Sequence, residues 1–111
     1  MKLLEHKHLI IRTEVNNPPR DEVWLQNWLT ELVDKIGMKV CRGPITAYVD
    51  MPGNEGLTGV VVIETSHIAI HVWDAVEPAL VQLDVYTCGA LNKDIIFAEL
   101  EQWDPVKIEW K

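Results

Sequence analysis

Residues 80–88, Leu-Val-Gln-Leu-Asp-Val-Tyr-Thr-Cys, alternate almost without interruption, and that alternation limits what this chain can become. Val81, Leu83, Val85 and Thr87 fall on one side of an extended segment; Gln82, Asp84, Tyr86 and Cys88 fall on the other. A strand of this kind puts one face into a core and turns the other away from it, so the chain must build a sheet covered on one side. Ile68, Ile70 and Val72 alternate with Ala69, His71 and Trp73 in the same way and predict a second such strand.

The rest of the chain supplies the cover. Leu9 to Val15 reads as a first strand, stopped by Asn16-Asn17-Pro18-Pro19. A helix then starts near Arg20 or Asp21. Its apolar residues, Leu25, Trp28, Leu29, Leu32, Val33 and Ile36, recur at helical spacing, and Gly37 ends it. Trp24 and Trp28 are read as packing residues on that helix. Met38 to Tyr48 is a strand in which Pro44 marks an edge or a bulge. Residues 50–56 form a loop. Thr58 to Glu64 is a strand whose unbroken centre, Val60 to Ile63, is the pattern of a strand covered on both faces. Thr65-Ser66-His67 interrupts, and residues 74–78 form another loop. After Gly89, Asn92 caps a short helix carrying Ile96, Phe97, Leu100 and Trp103, and Pro105 opens a last strand with Val106, Ile108 and Trp110 on one face. The order β-α-β-β-β-β-α-β predicts an α+β fold: a two-layer α/β sandwich, mainly antiparallel, with both helices on one face of the sheet. With 111 residues, no repeat and no linker, the expectation is a single domain over 1–111. A core of that size leaves little room for a deep site enclosed by one chain.

Charge and cysteine content narrow the function classes. Ten Lys and Arg stand against 17 Asp and Glu, a net charge of −7, which argues against a nucleic-acid partner. No apolar stretch approaches the ~20 residues of a membrane span. Residues 1–8 hold no apolar leader core. Cys41 and Cys88 do not make a disulfide framework, so the expectation is a reducing, cytoplasmic setting. His6, His8, His67, His71 and Cys88 are metal-ligand types, but C-x-x-C and H-E-x-x-H spacings are both absent, and no metal is assigned. There is no glycine-rich phosphate loop and no G-x-S-x-G elbow, and nothing in the spacing selects a Cys88–His71 hydrolase pair.

The polar strand face is the unusual feature. A solvated face normally carries Lys, Glu and Thr. This one carries His67, His71, Trp73, Asp84, Tyr86 and Cys88. Such a set suits a site or a subunit interface; a mixed polar surface with structural histidines accounts for it equally well.

Two segments on that face carry a family resemblance. Residues 57–73, Leu-Thr-Gly-Val-Val-Val-Ile-Glu-Thr-Ser-His-Ile-Ala-Ile-His-Val-Trp, and 83–89, Leu-Asp-Val-Tyr-Thr-Cys-Gly, resemble the prokaryotic S-adenosylmethionine decarboxylase proenzymes. The shared patterns are a Gly-Val-Val-Val run, a Ser-His-x-x-x-His-x-Trp run, and Asp-x-x-Thr-Cys-Gly. The resemblance implies a self-cleaving proenzyme. The Ser66 hydroxyl attacks the carbonyl of Thr65, the chain parts between Thr65 and Ser66, and residue 66 becomes a pyruvoyl group. That covalent pyruvate is the implied cofactor. It holds the substrate amine as a Schiff base and takes up electrons when carbon dioxide leaves. Thr58 and His71 match the family positions that support processing, and Cys88 matches the implied proton donor. His67 is a weaker candidate for positioning substrate. The implied substrate is S-adenosylmethionine, its product feeding spermidine synthesis, and the implied assembly is a homodimer with sites near the subunit boundary.

The sequence departs from the family pattern in places. Thr65 stands where the family has Glu before the cleaved serine. Asp74-Ala75-Val76-Glu77-Pro78 follows Trp73 in place of Pro-Glu, leaving Asp74 or Glu77 as substitutes for the ribose-holding carboxylate. Tyr48 is the candidate for the adenine-stacking aromatic. These departures keep two alternatives open: decarboxylation of ornithine or arginine by the same chemistry, or an uncleaved homologue acting as a partner subunit. Strand parity adds a constraint. Ser66 and His71 are five apart and belong on opposite faces of a regular strand, so the cleavage reading requires irregular backbone at 65–67.

Overall fold

The structure is a computed structural model and describes residues 6–111. Met1 to Glu5, on which part of the leader reading rests, lie outside the described residues. The elements in chain order are β1 (His6–Val15), α1 (Glu22–Lys35), β2 (Val40–Val49), β3 (Gly56–Ile63), β4 (Ser66–Trp73), β5 (Ala79–Cys88), α2 (Lys93–Leu100) and β6 (Pro105–Trp110), with one 3₁₀ turn at Glu101–Trp103. The strands form one sheet in the order β2-β3-β4-β5-β1-β6, and the pairings are antiparallel. This is the α+β sandwich expected.

Local chemistry explains the element ends. The Asp21 carboxylate accepts from the Trp24 N–H at 2.7 Å and caps α1. Gly37, at φ 78°, lets the chain turn out of that helix. Asn92 caps α2 through the Asp94 N–H at 3.0 Å. The second helical pattern divides: α2 stops at Leu100, and Trp103 lies in the 3₁₀ turn. Pro44 lies on the edge strand β2, where the register to β3 shifts between Arg42 and Ile45. The first strand begins at His6, three residues before Leu9.

The core lies between the helices and one face of the sheet. Leu25, Leu29 and Leu32 of α1 and Ile96 and Leu100 of α2 pack with Ile11, Val61, Ile63, Ile68, Ile70, Val81, Leu83 and Val85. Gly59 lets α1 sit close, because a Cβ there would lie 3.3 Å from both Leu25 Cδ2 and Leu29 Cδ1.

The reading of β3 as covered on both faces is corrected. Val61 and Ile63 are buried, but Val60 and Val62 are 39% and 45% exposed on the face away from the helices. The apolar run therefore serves two surfaces, and only one is covered within a single chain. Among the described residues no helix is long and apolar enough to cross a membrane.

Candidate functional site

The Ser66 end is built by a two-residue hairpin. Ile63 pairs with Ser66, so Glu64 and Thr65 alone make the turn between β3 and β4. Thr65 takes φ 55°, a left-handed conformation that is a genuine outlier for a β-branched residue. Its cost is on the order of 1–3 kcal/mol. Irregular backbone thus falls at 65, one residue before the serine. Ser66 itself is buried, and its Oγ accepts the Cys88 N–H at 2.8 Å. That bond ties the start of β4 to the end of β5, next to the first regular pair, His67 with Tyr86.

A second group lies at the far end of β4. Thr58 and His71 are opposite one another across β3 and β4, and the Thr58 hydroxyl lies 2.6 Å from His71 Nδ1. The Trp73 ring sits 6.2 Å from that imidazole, and its indole N–H donates to Asn54 Oδ1 at 3.3 Å. Asn54, Thr58, His71 and Trp73 line a cavity of about 180 Å³. Its floor is tight: Gly56 comes so close to β4 that any Cβ would collide with the Val72 carbonyl.

The two groups do not meet within one chain. Ser66 and His71 are five positions apart along β4, roughly 17 Å. They also lie on opposite faces. Ser66 shares the buried side with Ile68 and Ile70, and His71 shares the open side with His67 and Ala69. The parity conflict read from the sequence is real.

Between the two ends the open face carries a row of rings. His67 stacks on Tyr86, with centroids 5.6 Å apart and planes 14° from parallel. His8 Nε2 lies 2.7 Å and His67 Nε2 3.5 Å from one carboxylate oxygen of Asp84. The Tyr86 hydroxyl lies 2.7 Å from His6 Nδ1. Sequence reasoning found His67, Asp84 and Tyr86 on this face and missed His6 and His8, because the β1–β5 register that brings them there leaves no local pattern. Among the described residues no group of three or more His, Cys, Asp or Glu converges for a metal ion.

Tyr48 and Asp74, two expected substrate contacts, lie elsewhere. Tyr48 pairs with buried Leu57 and so projects to the helix side of the sheet, away from His71. Its hydroxyl is 3.0 Å from each Asp74 carboxylate oxygen, and Arg20 Nε is 3.6 Å from the same carboxylate. The bond to Asp74 raises the Tyr48 pKa, with burial and the nearby acidic charges of Asp74 and Asp50 adding to it and Arg20 opposing. Glu77 is exposed in the bend between β4 and β5. The aromatic beside His71 on its own face is Trp73.

The family model for S-adenosylmethionine decarboxylase matches residues 7–103, which include both ends of the site. The chain belongs to the S-adenosylmethionine decarboxylase family. An S-adenosylmethionine decarboxylase proenzyme of Archaeoglobus fulgidus is 50% identical over 38 residues, covering 34% of this chain and 32% of that protein. The proenzyme of Parasynechococcus marenigrum is 31% identical over 85 residues, 75% of this chain and 62% of that protein. The matched part thus spans about a third of the first relative's length and under two-thirds of the second's. The adenosylmethionine decarboxylase crystal structure from Aquifex aeolicus superposes with a TM-score of 0.77 at 24% identity, over 99% of this chain and 89% of that one. It shares the decarboxylase family fold over nearly the whole chain.

Proposed function

We propose that this chain is a self-processing, pyruvoyl-dependent decarboxylase of S-adenosylmethionine, cut between Thr65 and Ser66 and working as a homodimer. The observation that carries the reading is the Ser66 corner: a serine hydroxyl held by the Cys88 N–H, directly after a strained, left-handed Thr65.

This corner suits the acyl shift. The Thr65–Ser66 bond is the next one along from the strained φ, so breaking it frees Thr65 from a conformation it disfavours. Only the carbonyl of Thr65 takes part, and the side chain that replaces the family's Glu is occupied locally, its hydroxyl donating to the Glu64 carbonyl at 2.6 Å. The residues also fit the group that processing would leave. Residue 66 sits at a chain corner, and the Cys88 backbone already reaches its side chain. A pyruvoyl carbonyl there supplies the electron sink that a departing carbon dioxide requires. Cys88 is the proton donor, on the strand beside residue 66. His71, held at Nδ1 by Thr58, assists processing through its other nitrogen. Trp73 and Asn54 offer an aromatic face and an amide beside His71 for the nucleoside. Asp74 and Tyr48 act as a clamp on the end of β4 rather than as substrate contacts.

The separation of Ser66 from His71 supports the homodimer. A catalytic group on each side of a 17 Å gap works only when a second copy brings its own. The open face has the surface for such a copy, with Ile45, Val60 and Val62 exposed beside Ala69 and His71. Intact-mass analysis tests the reading. Two fragments, 1–65 and 66–111, together with carbon dioxide release from carboxyl-labelled S-adenosylmethionine are expected, and Ser66→Ala leaves one uncut chain. An uncut wild-type chain after long incubation sinks the proposal. Cleavage with release from ornithine or arginine alone overturns the substrate.

A further inference from the structure

We propose that His6 is a positioning residue for Cys88, an imidazole that returns a proton to the thiol after the thiol has given one up. The antiparallel register places His6 directly opposite Cys88. Both residues lie on the open face of the sheet, where opposite side chains have Cβ atoms roughly 4.5–5.5 Å apart. That is within reach of an imidazole nitrogen and a thiol. The ring is held on this face by Tyr86. The Tyr86 hydroxyl lies 2.7 Å from its Nδ1, and the two ring centroids are 5.7 Å apart. Tyr86 sits two residues before Cys88 on the same face, so it keeps the imidazole on the row that carries the sulfur. Cys88 is fixed from its other side through its N–H to Ser66. With Nδ1 engaged by the phenol, Nε2 is the ring nitrogen left to serve the thiol.

The other histidines are committed elsewhere. His8 and His67 both turn to Asp84, at 2.7 Å and 3.5 Å. His71 lies opposite Gln82, six residues along β5 from Cys88. The titratable groups packed around the pair are therefore His8 from β1, His67 from β4, and Asp84 and Tyr86 from β5. The S–H bond of Cys88 breaks as a C–H bond forms on the substrate. An N–H bond of the His6 imidazolium then breaks as the S–H bond is restored, and the exposed imidazole recovers its proton from water. The use of this relay in turnover rests on the decarboxylase reading; the thiol–imidazole pair does not.

Peptide-resolved labelling with iodoacetamide on the full chain, from pH 5.5 to 9.5, tests the pair. Cys41, exposed on the edge strand β2, serves as the reference thiol in the same molecule. At pH 7, His6→Phe is expected to lower the Cys88-to-Cys41 labelling ratio about tenfold, with little effect at pH 9.5. His6→Gln should behave as His6→Phe does, and Tyr86→Phe should give a smaller loss. A loss from misfolding would persist at pH 9.5 and move Cys41 as well. Ratios and pH profiles that are the same in wild type and His6→Phe overturn the proposal. Carbon dioxide release measured on the same samples keeps the two readings apart. His6-dependent labelling without release supports the pair and removes the decarboxylase reading. Release with His6-independent labelling does the reverse.

Discussion

In the proposed cleavage, Thr65 concentrates the chemistry of the corner in one dihedral angle. A glycine accepts φ 55° without strain, so Thr65→Gly should relax the hairpin and remove part of what favours cleavage. The expected outcome has opposite signs in two assays. In a Ser66→Ala background the glycine variant should melt higher, by up to about 1 kcal/mol of added stability, since the relieved strain exceeds the entropic cost of glycine. With Ser66 intact, its cleavage should be several-fold slower, as followed by gel or intact mass. Faster cleavage would show that the strained angle does not help the acyl shift. Thr58 gives a complementary case. Thr58→Val removes the hydroxyl at His71 Nδ1 and should slow processing by about 10²-fold, while Thr58→Ser restores it. The candidate reactive residues stand out in the sequence because short motifs carry them: Ser66 and His71 sit in one run and Cys88 in another. Their cross-strand neighbours do not, since His6 comes opposite Cys88 only through a pairing across 82 positions of chain.

At the scale of elements, the end of β4 is locked to β2 and to the segment before α1 by Tyr48, Asp74 and Arg20. Asp74 is almost fully buried, its side chain 6% exposed, so a variant that leaves Tyr48 and Arg20 without their acceptor should be costly. Asp74→Ala is expected to destabilise the fold by roughly 1–3 kcal/mol in urea unfolding, and Asp74→Asn by less. The raised Tyr48 pKa adds a sign that can be checked. In the folded chain the phenol holds its proton to higher pH than in the unfolded chain. Its contribution is therefore fully present below the ordinary tyrosine value of about 10 and is lost as pH rises through the folded value. The melting temperature should fall more steeply above pH 10 in wild type than in Tyr48→Phe; parallel curves would show that the bond to Asp74 does not hold the clamp. Element types followed from alternation and helical spacing. The face on which Tyr48 lies followed from its register with Leu57, which no local pattern discloses.

At the scale of the molecule, one exposed sheet face carries the apolar residues Ile45, Val60 and Val62 together with His71 and the ring cluster. The unbroken run of β3 was legible as a strand wanting cover on both sides, and a single chain supplies cover on one. A charge set into that face, Val62→Glu, should convert the proposed homodimer to monomer in light scattering and halt processing together with assembly. The separation of Ser66 from His71 allows a sharper experiment. Neither Ser66→Ala nor His71→Ala chains should be cut efficiently when made alone. In a mixed dimer, however, the intact Ser66 of the His71→Ala chain meets the intact His71 of the Ser66→Ala chain. Co-expression with distinguishable tags should therefore restore cutting in the His71→Ala chain and leave the other whole. At random pairing, half of all dimers are mixed, so about half of the His71→Ala chains should be cut at long times. A His71→Ala chain that stays uncut in every mixture would mean that His71 serves its own chain across the full length of β4, and the two-copy site would fall.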